Sequence, residues 1–362
     1  LTAIINQSLK NGIFPNGLKV AKILPIFKKD DQYIFDNYRP ISLLNTFSKL
    51  IEKTVHMQLY QYFISNNFFY KHQYGFLPEH STELATLELV DSLYKTMDNG
   101  KIPISIFLDL SKAFDTIDHN ILLHKLSFYG VGGLELNWFT SYLTERVQLV
   151  EYNNTLSNKL TITTGVPQGS ILGPLLFIIY INDLNNASVF HSILYADDTT
   201  LTNPICNFHL PNDSSHKTIS EKINKELSNI KDWLDCNRLS LNIKKTKYML
   251  FYWSQNVQAS QINLNLQLED TDIELVSHFK FLGITLDKHL NWNKHCTDLG
   301  NKLAQTSGVL NKLKNTLPKH ILITIYNSLF LSHLTYGSTL WGFNNNNIHR
   351  LEVLQKRAVR NI

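Results

Sequence analysis

The chain has 362 residues, 43% of them hydrophobic, and carries 34 Lys and Arg against 30 Asp and Glu, a net charge of +4. That size and apolar content suffice for a large core divided among two or three subdomains. The near-neutral balance excludes a uniformly basic coat for nucleic acid, although a basic cleft is compatible with it because the average hides the distribution. The three cysteines, Cys206, Cys236 and Cys296, are far apart. They form neither a disulfide framework nor a paired zinc spacing, and they fit a reducing, intracellular compartment. The longest apolar run, 171–181, is too short to span a bilayer. With Leu at its first position and no signal-peptide pattern, the sequence reads as an internal fragment of something longer.

The first predicted element is a strand, "VAKILPI" (20–26), followed by a polar "FKKDDQ" turn. Residues 41–64 repeat apolar side chains at Leu43, Phe47, Leu50, Ile51, Val55, Leu59 and Phe63, which is a helical period. A second helix is predicted near 82–97, with Leu84, Leu87, Val90, Leu93 and Met97 on one face. The period then changes. "IPISIFLDL" (102–110) is a compact Ile-rich run bounded by Gly100 and "SKAFD", and it reads as a buried strand.

Helices follow near 119–129 and 135–144, then a hairpin over 147–164 turning at Asn153 and Asn154. "GVPQGS" leads into an apolar helix near 172–183. In "SILYADDTTL" (192–201), Ser192–Tyr195 and Thr199–Leu201 form two strands with Asp197 and Asp198 at or next to the tip. A polar, partly irregular insertion is expected over 203–217, then an amphipathic helix through Ile219, Ile223, Leu227, Ile230 and Leu234. Strands are predicted at 248–253 and 262–268, the second alternating cleanly, and helices from about 292 onward. His289, His295 and Cys296 cluster loosely without metal spacing and read as surface positions of a helical lobe. The order of elements predicts an α+β protein with at least two lobes flanking a sheet.

Two stretches point to chemistry. Asp109 ends an apolar strand, where an ionised carboxylate is costly unless paired, hydrogen-bonded or bound to a metal. Taken alone it reads as a helix N-cap. Asp197 and Asp198 repel each other, and a cation beside them offsets that cost. Carboxylates on a tight turn suit Mg²⁺, which keeps sites open for water and phosphate oxygens. Taken alone, the pair is a solvated turn. Together, a strand-end carboxylate and two more on a hairpin that can pair with that strand are the parts of a two-metal phosphoryl-transfer site. A third piece is "TGVPQGSILGPLLF", where Gly165, Gly169 and Gly173 with Pro167 and Pro174 let backbone approach a ligand closely.

In order along almost the whole chain, these stretches resemble the reverse transcriptases of non-LTR (LINE-type, jockey-like) retrotransposons. "NGIFPNGLKVAKILPIFKKDD" and "NYRPISLLNTFSKLIEK" resemble the opening finger blocks, and "HQYGFLPEHST" the block after them. "FLDLSKAFDTIDH" is similar to motif A, "GVPQGSILGPLLFIIYINDL" to motif B, "YADD" to motif C and "LSLNIKKTKYMLF" to motif D. "FKFLGITLD" resembles the block leading to the primer grip, and "YGSTLWG…IHRLEVLQKRAVRNI" resembles the segment C-terminal to this domain in jockey-type elements. Departures are few: family members often have Trp where Leu18 stands and Gly where Asp30 stands.

The resemblance implies a right-hand polymerase with an antiparallel palm sheet packed on helices: fingers over 1–105, palm over 106–290 and a helical thumb over 291–362. It implies an RNA-directed DNA polymerase that adds dNTPs to a primer 3′ end by two-metal phosphoryl transfer, in target-primed reverse transcription. Asp109 and Asp197 would bridge two Mg²⁺ ions (Mn²⁺ substituting), with Asp198 in the cluster, as a ligand or as support for Asp197, and the Leu110 carbonyl as a further ligand. Phe114 matches the aromatic gate against a 2′-hydroxyl. Gln168 and Gly169 would lie near the new base pair, and Arg39 with Lys28 or Lys29 would hold the triphosphate. Lys245 or Lys247 would protonate departing pyrophosphate, and "FLGI" (281–284) would lie near the primer terminus. The implied partners are an RNA template, a DNA primer or nicked target DNA, and dNTPs, with no membrane and an endonuclease domain upstream. The implied location is the nucleus during synthesis and the cytoplasm during ribonucleoprotein assembly. Two alternatives stand beside this: a catalytically inactive RNA-binding relic, and another reverse transcriptase such as a group II intron maturase or telomerase.

Overall fold

Helices and strands alternate along the chain in the computed structural model, which describes residues 1–29, 31–207, 213–256, 258–343 and 345–362. The first half contains α1 (Thr2–Asn11), β1 (Val20–Phe27), β2 (Tyr38–Leu43), α2 (Thr46–Ser65), α3 (Thr82–Asp98) and β3 (Lys101–Ser111). It continues with α4 (His119–Phe128), α5 (Gly133–Leu143), β4 (Arg146–Tyr152), β5 (Thr155–Leu156), β6 (Leu160–Ile162) and α6 (Leu172–Tyr180). Then come β7 (His191–Tyr195), β8 (Asp198–Asn207), α7 (Asp213–Cys236), β9 (Ser240–Leu241) and β10 (Lys247–Leu250). Short strands follow, β11 (Gln267–Leu268), β12 (Thr271–Asp272), β13 (Glu274–Leu275), β14 (His278–Phe281) and β15 (Ile284–Asp287). Finally α8 (Asn293–Leu313) opens a helical region that runs to Val359. The α+β expectation holds. Among the described residues, no helix is long and apolar enough to cross a membrane.

Contacts divide the chain into two units. The first is Leu1–Pro78, Leu108–Thr199 and Ile223–Thr246; the second is Glu79–Phe107, Thr200–Lys222 and Lys247–Ile362. At the centre of the first lies α6, whose "LGPLLFIIY" is apolar on every side and buried at every position but Pro174. A helix without a polar face must be covered all round, and α2 and α4 cover it. Each fully buried Leu, Ile or Phe there stabilises the unit by about 1.5–3 kcal/mol. A sheet in this unit has β1 at its centre, antiparallel to β2 and parallel to β4. Asn153 and Asn154 turn β4 into β5 with φ of 47° and 61°. Two consecutive positive φ values suit the twist of a two-residue hairpin, and Asn tolerates them.

In the second unit β10 lies between the Ile104–Phe107 end of β3, antiparallel to it, and β13, parallel to it. The β14–β15 hairpin turns at Leu282 and Gly283, both with positive φ. Phe279 on β14 stacks on Phe107 with ring centres 3.9 Å apart. Helix α8 packs against the final helix, Asn345–Val359.

Three expectations need correction. Residues 41–43 are strand, pairing Ile41 with Leu24 and Leu43 with Lys22, and the helix starts only at Thr46. The apolar spacing begins ahead of the helix, whose start is set by Asn45: its side chain accepts from the Phe47 N–H at 2.9 Å. Over 262–268 burial alternates as predicted, yet only Gln267–Leu268 pair in a strand, because the rest has no neighbouring ladder. Of the partly irregular stretch expected at 203–217, β8 continues to Asn207 and α7 begins at Asp213, while residues 208–212, like Asp30, lie outside the described residues. His295 and Cys296 are buried inside the second unit rather than on its surface, and the His295 Nδ1 accepts from the Thr285 N–H.

Candidate active site

The predicted carboxylates all fall in the first unit. Asp109 stands near the end of β3, where its carbonyl accepts from the Asn242 N–H at 2.8 Å and the next residue, Leu110, pairs with Leu241 of β9. Asp197 lies in the turn between β7 and β8, and Asp198 is the first residue of β8. The turn is entered through Ala196 at φ 56°, a left-handed conformation that costs a residue with a Cβ roughly 1–2 kcal/mol.

The Asp109 charge reaches both acids of the turn. Burial raises the Asp197 pKa; the Asp109 charge raises it further, while the Lys28 and Arg39 charges oppose the rise. Asp198 keeps part of its surface open to water, yet desolvation in the cleft, then the Asp197 and Asp109 charges, push its carboxyl up to about 6. The Lys245 ammonium sits 3.2 Å from Asp109 Oδ2. Lys247, two residues on, is turned to the second unit's Glu274 at 2.6 Å.

Lys28 and Arg39 come from the two strands of one hairpin. The Lys28 N–H donates to the Asn37 carbonyl at 2.9 Å, Arg39 is opposite Ile26, and both side chains are exposed. The register therefore puts two cations on one face of the hairpin, and both charges reach Asp197.

The "PQG" loop is fastened on three sides. The Gly165 and Val166 N–H groups donate to the Ile117 and Phe114 carbonyls at 2.7 and 2.9 Å. The Ser42 N–H donates to the Gln168 carbonyl at 2.8 Å. A Cβ on Gly165 would lie 2.7 Å from the Asp115 carbonyl oxygen, and one on Gly169 would lie 2.9 Å from that of Ser42, so both positions require glycine, as their φ of 82° and 112° also do. The Gln168 side-chain amide donates to both Asp115 carboxylate oxygens at 2.9 Å. Burial raises the Asp115 pKa, against which the Gln168 hydrogen bond and the Lys112 charge act. Phe114, half-buried beside this pair, rests on Phe177 of α6 with centroids 4.7 Å apart and meets Phe76 edge-on at 6.0 Å.

Glu52 was not singled out from sequence, and neither was Asp115. Glu52 is fully buried, accepts from the Ile171 N–H at 2.7 Å and from the Ser48 hydroxyl at 2.9 Å. The Ser170 hydroxyl accepts from the Gly173 N–H at 2.9 Å, and the carboxylate from α2 satisfies the Ile171 and Leu172 amides before it and the positive end of the α6 dipole. The signal was present: Glu52 falls three and seven residues before Val55 and Leu59, on the apolar face. A charge at a core position requires a buried partner.

The reverse transcriptase (RNA-dependent DNA polymerase) family profile matches residues 26–286. A probable RNA-directed DNA polymerase from transposon BS of Drosophila melanogaster is 29% identical over 100% of the chain, which covers 40% of that protein. The RNA-directed DNA polymerase from mobile element jockey of the same species is 27% identical over 100% of the chain and 39% of its own length. The chain thus spans about two-fifths of the curated relatives it matches. A solved structure of telomerase from Candida albicans is similar over 99% of the chain and 65% of its own, at 12% identity and a TM-score of 0.47.

Proposed function

Because this chain belongs to the reverse transcriptase (RNA-dependent DNA polymerase) family, we propose that it extends a DNA 3′ end with dNTPs, copying RNA. The observation that carries this reading is the nearness of Asp109, Asp197 and Asp198: the Asp109 charge raises the pKa values of the other two, and the Asp197 charge raises that of Asp198. That donor set fits divalent cations, since hard carboxylate oxygens suit Mg²⁺ and added positive charge relieves the repulsion. Asp109, Asp197 and Asp198, with the Leu110 carbonyl, would hold two Mg²⁺ ions, for which Mn²⁺ substitutes. The chemistry supplied there is a more acidic primer 3′-hydroxyl and a neutralised triphosphate.

The protein's own groups do the remaining work. Lys28 and Arg39 bind the triphosphate, the guanidinium by paired hydrogen bonds. Phe114 presents a flat ring beneath the sugar and leaves no room for a 2′-hydroxyl. Gln168, oriented by Asp115, and Gly169 line the minor-groove side of the new base pair. Lys245 gives its proton to the departing pyrophosphate; its place beside Asp109 supports it over Lys247, which Glu274 engages.

In this reading residues 1–105 are fingers, 106–290 palm and 291–362 thumb. The full-length protein acts in the nucleus by target-primed reverse transcription, with an endonuclease upstream and cytoplasmic ribonucleoprotein assembly. The test is primer extension on poly(rA)/oligo(dT) with Mg²⁺. Asp197→Ala should lower the rate a thousandfold or more, about 4 kcal/mol of transition-state stabilisation. Retained activity in that variant sinks the assignment, and an inactive wild-type chain favours the RNA-binding relic.

A further inference from the structure

The segment 72–75 belongs to a stretch that the sequence marks only as a block between finger and palm motifs. In the structure it runs beside β7 as a parallel neighbour: Gln73 bridges to Leu194, the Leu194 N–H donates to the His72 carbonyl at 3.0 Å, and the Tyr74 N–H donates to the Leu194 carbonyl at 2.7 Å. At the end of this ladder the chain comes hard against the catalytic turn. A Cβ on Gly75 would lie 2.2 Å from the Ala196 nitrogen and 2.9 Å from the Tyr195 carbonyl carbon. Glycine is required there because the turn's backbone occupies the space of a side chain.

Gln73 is 1% exposed. Its Oε1 accepts from the Gly75 N–H at 2.8 Å and from the Ala196 N–H at 3.2 Å. Two converging N–H donors fix the orientation of the amide, because only its oxygen can accept. The consequence is that Nε2 points the other way, buried and without a hydrogen-bond partner among the described residues. An unpaired buried donor is a cost that a core position does not ordinarily carry. Here it accompanies the tie to Ala196, the left-handed residue that aims Asp197 and Asp198 into the cleft. Strained backbone of this kind persists only where its surroundings hold it.

We infer that Gln73 is a positioning residue for the metal-binding carboxylates: by accepting from the Ala196 N–H it holds the Asp197–Asp198 turn in its metal-ready conformation. This rests on the proposed polymerase reading, in which those aspartates hold divalent cations. A shape-conserving change that removes the acceptor should therefore loosen metal binding without unfolding the protein.

The experiment is an Mn²⁺ titration of the chain followed by electron paramagnetic resonance, without nucleotide or primer, beside thermal unfolding of the same samples. Gln73→Met keeps the volume and removes both the acceptor and the unpaired donor. It should melt within a few degrees of wild type and bind Mn²⁺ about tenfold more weakly. Gln73→Glu keeps an acceptor oxygen and should stay within about threefold of wild type. Trp138→Phe, a core change elsewhere in the same unit, serves as the control for general loosening. Wild-type Mn²⁺ affinity in a folded Gln73→Met overturns the inference, as does weakening no greater than a Trp138→Phe variant of equal stability shows. A wild-type chain that binds no Mn²⁺ overturns the metal reading itself, and with it this inference. Binding by wild type with no difference in the variants removes Gln73 alone.

Discussion

The "YADD" turn and the "PQG" loop lie in the same unit and belong to the same proposed site, yet they are completed differently. The loop is finished by the protein: Ser42, Asp115 and Glu52 satisfy its backbone, its glutamine and the helix that follows. The turn is left electrostatically unfinished, with Asp197 and Asp198 held nearer to neutrality than carboxylates ordinarily are. The difference teaches where each part of the proposed reaction gets its order. The side that would meet the base pair is built in advance by the protein, and the side that would meet the triphosphate and the primer end is one that positive charge would stabilise.

That contrast can be broken at the loop or at the turn. The largest effect beyond loss of Asp197 is expected at Glu52. Glu52→Ala leaves the first amides of α6 unpaired in the core and should cost about 2–4 kcal/mol in urea unfolding, through lost hydrogen bonds and a cavity. A loss under about 0.5 kcal/mol would mean the loop is held by other contacts. Next comes Asp115→Ala, which frees the Gln168 amide. The KM for dNTP should rise about tenfold, roughly 1.4 kcal/mol, with a smaller change in kcat; an unchanged KM would detach Gln168 from substrate. Phe114→Val should admit ribonucleotides, raising their use relative to dNTPs by about tenfold, again roughly 1.4 kcal/mol. Unchanged sugar preference removes Phe114 from the gate.

The smallest effect concerns the turn, and its sign is opposite. Asp198 titrates near 6 when folded, against about 3.9 when unfolded. Its ionised form is thus disfavoured by folding: the penalty is absent below about pH 4, grows between the two values, and is complete above about 6. Asp198→Asn should then stabilise the metal-free protein above pH 6. The gain should be under about 1 kcal/mol because water screens the exposed carboxylate. It should vanish below about pH 4. Thermal melts across that range check this, and a constant gain at every pH points to packing instead of charge.

Much of this was legible in sequence where a periodic pattern was long and self-consistent. Helix α3, strand β3 and the Asn153–Asn154 hairpin fall where the residues put them, and so does the turn that carries Asp197. What failed depended on partners that local pattern does not contain. Residues 262–268 alternate in burial like a strand, but a strand also needs a neighbour for its N–H and carbonyl groups. Lys245 and Lys247 are two residues apart, which hides that the first lies in a turn while the second opens β10. Asp115 and Glu52 were missed for a related reason: each supports a functional group supplied by a distant stretch. Long-range pairing of that sort leaves only an indirect trace, a charge on an apolar face.

Phe114 leans on Phe177, and Phe177 lies in the middle of the helix around which the first unit is packed. The surface proposed to tell deoxyribose from ribose is therefore the outer layer of the hydrophobic core. On that proposal, any drift in the size or tilt of the residues at α6 would be transmitted to sugar choice, and the accuracy of copying and the stability of the unit would be inherited as a single trait.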